Sequence, residues 1–162
     1  MDAALLLAQI VTTGLLACWL TVGVRDNLLH PSMNETYTAE VMEMTRLQHD
    51  YPAEYAQVAH RAITSRHIQT LAFRGVVASE LVATFLLWIG ALALLMALVG
   101  VASEDTARTL AMYGTTAFVA IWSGFLVVGN HFSYWFCHEG AQNTHFQMTL
   151  WGIGALILLV QG

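Results

Sequence analysis

Three histidines near the C-terminus have residue types and a spacing that could support chemistry. In the stretch GNHFSYWFCHEGAQNTHF, His131, His138 and His145 are each seven residues apart, or about two helical turns. Imidazoles bind metals and haem, and Cys137 and Glu139 could complete a set of three or four metal ligands. The same residues also suit a membrane interface, where side chains with an apolar body and a polar tip collect. A metal site, contact with a haem or quinone, and interfacial packing are all open at this point.

A haem between membrane helices sets a stricter requirement, because its axial histidines must be buried on facing helices. No histidine lies in the central part of an apolar run, and only His131 lies at the edge of one. A bis-histidine haem in the core is therefore disfavoured. We predict no cofactor, although a metal or haem at the membrane edge is not excluded.

A second candidate is an acidic residue inside an apolar run. Glu80 lies six residues after Arg74, and the run continues for some twenty residues beyond it. Ionisable groups inside a membrane are costly and are often functional. A separation of six residues does not place the two side chains on one helical face as a close ion pair. Glu80 could therefore bond structurally to neighbouring helices, or it could handle a proton or a ligand.

The composition is typical of a membrane protein with no soluble domain. Of the 162 residues, 57% are hydrophobic and 10% are charged, against roughly 25% charged residues in soluble domains. The chain has no lysine and a net charge of -5, which argues against a nucleic-acid partner. Cys18 and Cys137 have no CxxC spacing and are interpreted as unpaired apolar residues.

Four apolar runs position these candidates. Since about 20 apolar residues cross a bilayer core, the pattern predicts an all-α integral membrane protein, a four-helix transmembrane bundle in one domain. The N-terminal run lacks the basic residues and cleavage site of a signal peptide and is interpreted as a retained helix. The predicted helices cover residues 3–24, 66–100, 104–139 and 144–161, and a folded extramembrane loop covers residues 25–65. Gly100 and Gly140 are predicted to end the second and third helices, and Ser103 is predicted to cap the third.

Four spans would place the long first loop and the histidine-rich hairpin on one face of the membrane. All seven histidines then lie on that face or at its edge. Helical spacing in the loop predicts two short amphipathic helices, the first after Ser32 and the second after Asp50. The arginine distribution weakly favours a cytoplasmic loop.

Small residues on the last two helices favour close helix packing. Gly124 and Gly129 lie on the third predicted helix, and Gly152 and Gly154 lie on the fourth. We find no Walker loop, GxGxxG, GxSxG or HExxH motif and no nucleophile–base pattern, so we expect that the protein is not an enzyme.

Five short motifs recur in a known family of membrane proteins. They are RDN (25–27), EVMEM (40–44), RAITS (61–65), ASELVATFLLWIGAL (78–92) and IWSGFLVVGN (121–130). With them the chain resembles the bacterial predicted small integral membrane protein family called domain of unknown function 2165. The resemblance covers most of the chain and implies four membrane helices without an established activity. The family pattern implies an acidic residue and tryptophans after the glycine near Gly129, where this chain has His131 and Phe132.

These observations lead to three functional hypotheses. The first is a non-catalytic accessory subunit of a larger respiratory, photosynthetic or oxygenase-like complex in the bacterial cytoplasmic membrane, with other membrane subunits and lipid as partners. The second is a cofactor-binding electron-transfer subunit that uses the histidine-rich face. The third is a small conductor of protons or solutes through Glu80.

Overall fold

The protein consists of helices throughout residues 3–161, the part of the chain that the computed structural model describes. The four long helices are α1 (Ala3–Leu29), α5 (Arg66–Leu98), α6 (Glu104–His131) and α8 (Glu139–Leu159). The short helices are α2 (Pro31–Glu43), α3 (Thr45–Asp50), α4 (Pro52–Val58), a 3₁₀ turn (Ala59–Arg61) and α7 (Tyr134–Cys137). Residues 31–61, which form α2 to α4 and the 3₁₀ turn, are called the cap below.

Among the described residues, three helices are long and apolar enough to cross a membrane: α1, α5 and α6. The all-helical architecture is as predicted, and three of the four predicted membrane helices meet these criteria. The 33 residues of α5 span roughly 50 Å at 1.5 Å per residue, well beyond a bilayer core of ~30 Å. One end of α5 therefore projects from the membrane, and the cap packs against that end.

The long helices are held together at two levels. At the end that carries the chain termini, Leu6, Leu94 and Leu159 belong to one buried apolar cluster. There the side-chain amide of Gln9 also donates to the carbonyl oxygens of Leu158 and Gln161, at 2.9 and 3.1 Å, which ties α1 to α8. Nearer the cap, a second cluster joins all four long helices through Leu16, Leu20, Leu87, Phe118 and Ala155.

The closest backbone approach lies between α5 and α6. A Cβ atom at Gly114 would come within 2.6 Å of the backbone nitrogen of Leu87, and one at Gly90 would overlap the backbone of Ala111. No real side chain tolerates such contacts with backbone atoms. The absence of a Cβ at both positions therefore allows the C-terminal half of α5 to touch the N-terminal half of α6.

The four glycines that were predicted to pack helices have different surroundings within this chain. A Cβ at Gly129 would lie 3.0 Å from the Tyr134 ring, and one at Gly152 would lie 2.5 Å from Val119. Gly124 and Gly154 have no neighbour within 4 Å of a Cβ position, so neither brings two helices of this chain together.

The helix ends differ from the predicted ones by five residues or more at three places. α1 continues to Leu29 rather than 24. α6 ends at His131 rather than 139, because Ser133 adopts a left-handed conformation with φ of 54° and breaks the helix. Gly140 is not a helix stop, because α8 begins at Glu139, five residues before the predicted start.

Other boundary signals gave mixed results. The Ser103 side chain caps α6 by accepting from the backbone nitrogen of Thr106, as predicted, and Gly100 forms the preceding turn with φ of +76°. The cap contains the two predicted short helices, with α3 as an additional element between them. Ser32 and Asp50 are not their N-caps, since α2 and α4 begin at the prolines Pro31 and Pro52. Both cysteines are free.

The α5–α6 contact generates a first prediction. Gly90→Ala should lower the free energy of unfolding by about 1–3 kcal/mol, because the added methyl group must push two backbones apart. Gly154→Ala is the matched control, since its Cβ meets open space, and it should be neutral or slightly stabilising. Unfolding of both variants in mixed micelles measures the difference, and equal stability of the two would contradict a tight α5–α6 contact.

Candidate functional site

A large cavity lies between the N-terminal half of α5 and the C-terminal half of α6, which are the halves nearer the cap. Its volume is about 1200 Å³, and it lies between residues 72–82 of α5 and residues 117–129 of α6. Residues 34–42 of α2 close it on the cap side, and α1 and α8 contribute further wall residues. The cavity follows from the helix geometry, because α5 and α6 part beyond the contact at Gly114.

The cavity opens sideways between α5 and α6. The α5 edge of this opening carries small residues, Gly75, Ala78 and Ser79, which line the cavity and are exposed. The α6 edge carries Ala120 and Gly124, and a Cβ at Gly124 would meet nothing within 4 Å. Short side chains on both edges leave a gap that faces the surroundings of the helices.

A chain of carboxyl and amide groups forms one polar wall. The Asn27 amide donates to a carboxyl oxygen of Glu80 at 2.8 Å, and the Asn34 amide donates to the Asn27 oxygen at 2.6 Å. Glu80 is only 6% exposed, and Asn34 is exposed at the cap surface. This chain joins α5, α1 and α2, so the structure pairs Glu80 with an amide rather than with a cation. Arg74 is exposed on α5 and makes no ion pair with Glu80 within the described residues.

A second polar element lies on the opposite wall and lacks partners. The indole nitrogen of Trp122 and the Nδ1 atom of His145 are buried and make no hydrogen bond within the described residues. Both residues line the cavity, and their ring centroids are 5.3 Å apart. His145 also stacks on Phe125 at 4.8 Å. Buried polar atoms without partners are rare because they cost free energy.

His138 serves the cap rather than the cavity. Its Nδ1 atom lies 2.9 Å from the hydroxyl of Tyr37, and its ring stacks on Tyr134 at 5.1 Å. Burial lowers the pKa of His138 below its ordinary value, and the nearby Arg46 cation lowers it further, while Glu40 opposes the shift. The neutral imidazole therefore fits a role as a hydrogen-bonding strut between α2 and the α7–α8 hairpin. Burial likewise raises the pKa of the Tyr134 hydroxyl.

Polar side chains also fasten the cap to α5. Gln69, fully buried, donates to Glu43 and to the Ile63 carbonyl, both at 2.8 Å. Glu35 accepts from Thr70 and Arg66 at 2.6 and 3.3 Å. These contacts hold α2 over the cavity.

The three predicted metal-ligand histidines are not brought to one point as a ligand set. His131 is exposed at the end of α6, while His138 and His145 each stack on Tyr134. Among the described residues, no three His, Cys, Asp or Glu side chains form a group that could hold a metal ion. The metal hypothesis therefore gains no support from the geometry.

Sequence reasoning missed Asn27, Trp122 and Tyr134, which matter most beside Glu80 and His145. Asn27 lay just past the first apolar run, and Trp122 lay inside another, where tryptophan commonly packs without a polar role. The partner of Glu80 could have been predicted, because a buried carboxyl requires a hydrogen-bond donor. Asn27 is one of few polar residues at the corresponding depth on α1.

Comparison with known proteins identifies the family. The model of the predicted small integral membrane protein family DUF2165 matches residues 5–162. The chain therefore belongs to this family, and the resemblance inferred from its motifs is confirmed. No curated protein and no solved structure matches the chain.

The polar wall generates a second prediction. Asn27→Ala should cost about 1–3 kcal/mol in unfolding free energy, because the Glu80 carboxyl then loses its buried donor. The double variant Asn27→Ala/Glu80→Ala should cost less than the sum of the single variants, since the two residues share one interaction. Asn130→Ala on the exposed side of α6 is the control. Additive costs in the double-mutant cycle would show that the two side chains are not coupled.

Proposed function

We propose that this member of the predicted small integral membrane protein family is a non-catalytic binding protein for an amphipathic molecule drawn from the bilayer. The observation that carries the proposal is the cavity of about 1200 Å³, which opens sideways at the level of the membrane helices and holds polar groups on two walls. An apolar cavity with a few convergent polar groups is the usual form of a small-molecule site.

The sideways opening supports the bilayer as the source of the ligand. The opening lies between α5 and α6, both apolar enough to cross a membrane, and the exposed Val82 and Val128 flank it. A ligand could place its apolar part among these residues while its polar part reaches Glu80. The polar side chains that line the cavity are a carboxyl, amides, hydroxyls, an indole and an imidazole.

We further propose that α8 is a fourth membrane span, so that the protein is a multi-pass protein of a bacterial cytoplasmic membrane. The 21 residues of α8 extend about 31 Å, close to the thickness of a bilayer core. α8 packs along α6, and its end lies beside the start of α1 through the bonds from Gln9. This arrangement favours a span over a helix lying on the membrane surface.

An accessory role in a larger complex stays a prediction that is compatible with ligand binding. Gly154 and Gly124 present open helix surfaces that a partner helix could approach closely. Purification in a gentle detergent tests the accessory role: we expect co-purifying membrane subunits, and a lone 18 kDa species would contradict it.

Conduction through Glu80 is less well supported, because Leu16, Leu87 and Phe118 fill the space among the long helices on the side of the cavity away from the cap.

The fourth span predicts a labelling pattern in the intact membrane. In a background of Cys18→Ala and Cys137→Ala, the variants Val101→Cys and Gln161→Cys should react with an impermeant maleimide from the same side. Glu54→Cys in the cap should react from the opposite side. Each position is exposed, so the label reports the side of the membrane. Labelling of Gln161→Cys together with the cap variant would show that α8 does not cross.

Ligand binding predicts that purified protein carries a stoichiometric amphiphile. Extraction with organic solvent and mass spectrometry should recover it from the wild type, and Gly124→Leu should reduce the amount several-fold by filling the opening. Gly154→Leu is the matched control, because Gly154 has equally open surroundings but does not line the cavity. Wild-type protein that is free of bound amphiphile would contradict the proposed function.

A further inference from the structure

Glu80 is the carboxyl on the cavity wall in the described part of the chain, and one of its two oxygens is free. The Asn27 amide donates to Oε2, whereas Oε1 accepts no hydrogen bond among the described residues. Unlike Trp122 Nε1 and His145 Nδ1, the Oε1 atom is not sealed within the protein. A ligand can therefore reach this oxygen from the cavity.

The chain supplies no positive charge to balance this carboxyl. No arginine lines the cavity within residues 3–161, and the sequence contains no lysine. Two amides point their N–H groups toward the carboxyl, since Asn34 donates to Asn27 and Asn27 donates to Glu80. These dipoles favour a negative charge on Glu80, but a buried carboxyl is costly to ionise without a cation nearby. A cationic ligand would remove that cost.

The cavity-lining threonine of α2 and serine of α5 present lone pairs rather than hydrogens. Thr38 donates its hydroxyl hydrogen to the Asn34 carbonyl at 2.8 Å, and Ser79 donates to the Gly75 carbonyl at 2.9 Å. Each hydroxyl oxygen can still accept a hydrogen bond but has no hydrogen left to donate. These groups suit a head group that only donates, as an ammonium group does. A phosphate or carboxylate head group would bring further acceptors to the same wall.

The position of Glu80 along α5 suits an amphiphile. The acidic first turn of α6 marks the end of the bundle away from the cap. The stretch of α5 from Glu80 to Leu98 extends about 27 Å at 1.5 Å per residue, close to the ~30 Å of a bilayer core. Glu80 therefore lies near the cap-side boundary of the core, where lipid head groups begin. The cavity residues that lie deeper are apolar, among them Val82, Ala117 and Ile121.

We infer that the cavity binds a cationic amphiphile, in which an ammonium group pairs with Glu80 and an apolar tail extends toward the bilayer. This inference rests on the proposed function and names the ligand class of the same cavity. The ammonium would donate to Oε1 of Glu80, and the tail would lie along Val82 and Ile121 and leave past Gly124. The volume of about 1200 Å³ exceeds the roughly 300–1,000 Å³ typical of ligand pockets, which leaves room for part of the tail.

Competition photolabelling with alkyl chains of one length tests this inference. The probe is dodecylamine with a diazirine in the middle of its chain, and the protein is held at neutral pH in nanodiscs of phosphatidylcholine, which carry no net charge. The probe should label peptides from residues 72–82 or 117–129, and excess dodecylamine should suppress the labelling. Dodecanol and dodecanoic acid have the same chain without the cation, so each should need about tenfold higher concentrations or more. Equal competition by dodecanol and dodecylamine would overturn the cationic class, without requiring any variant to fold.

A matched pair of charge variants tests the role of Glu80. Glu80→Gln removes the charge but keeps an oxygen that can accept from Asn27. It should raise the dodecylamine concentration for half-maximal competition about tenfold and leave that of dodecanol unchanged. Glu54→Gln removes an equal charge from the exposed surface of the cap, outside the cavity, and should change neither concentration. Equal effects of the two variants on dodecylamine would overturn the pairing with Glu80.

The extraction experiment separates the failure of this inference from failure of the proposed function. A bound amphiphilic amine in the purified protein supports both. A stoichiometric phospholipid or neutral lipid, together with equal competition by dodecanol and dodecylamine, overturns the cationic class but leaves an amphiphile-binding protein. Absence of any bound amphiphile together with absence of photolabelling overturns both.

Discussion

The close approach of α5 and α6 is the constraint on which the rest of the structure depends. At Gly90 and Gly114 the two backbones touch without an intervening side chain. Within lipid, helix association relies on van der Waals packing rather than on the hydrophobic effect, so contact at this distance is a principal source of cohesion. Two straight helices that touch at one level diverge beyond it. The cavity between residues 72–82 and 117–129 is thus a direct consequence of where the glycines lie.

Where α5 and α6 diverge, a buried polar side chain must find a partner on another helix, and Glu80 shows how this happens. A carboxyl at this depth would be costly unless hydrogen-bonded. α1 provides the donor by continuing five residues beyond its apolar run, which brings Asn27 to 2.8 Å from Glu80. Asn34 then joins α2 to the same chain. One buried acid therefore fixes the length of α1 and the position of the cap.

The sequence was sufficient to predict the helical membrane architecture, because long apolar runs report burial in lipid directly. The cap of α6 at Ser103 and the turn at Gly100 were equally readable, since each depends on local backbone chemistry. The packing of the helices could not be predicted in this way, because a glycine pattern does not show which face of a helix meets a neighbour. Gly124 and Gly154 look like Gly129 and Gly152 in the sequence, yet only the latter two contact another part of the chain.

The histidine-rich stretch failed as a ligand prediction for a related reason. Its regular spacing would place three imidazoles on one face only if the helix were continuous, and Ser133 interrupts it with a left-handed residue. The break folds α7 back, so that Tyr134 packs against Gly129 and both His138 and His145 stack on the same phenol ring. The pair is thereby divided between two tasks: His138 braces the cap, and His145 faces the cavity.

The cap closes its own side of the cavity more firmly than the gap between α5 and α6 is closed. On the cap side, Met42, Met44 and Leu47 form a buried cluster with Phe132, and Ile63 donates its backbone N–H to the Met42 carbonyl at 2.8 Å. Entry there would require breaking this cluster together with the Tyr37–His138 contact. Between α5 and α6, by contrast, only the short side chains of the two helix edges stand in the way. A molecule already dissolved in the membrane would therefore meet a much smaller barrier than one arriving from water.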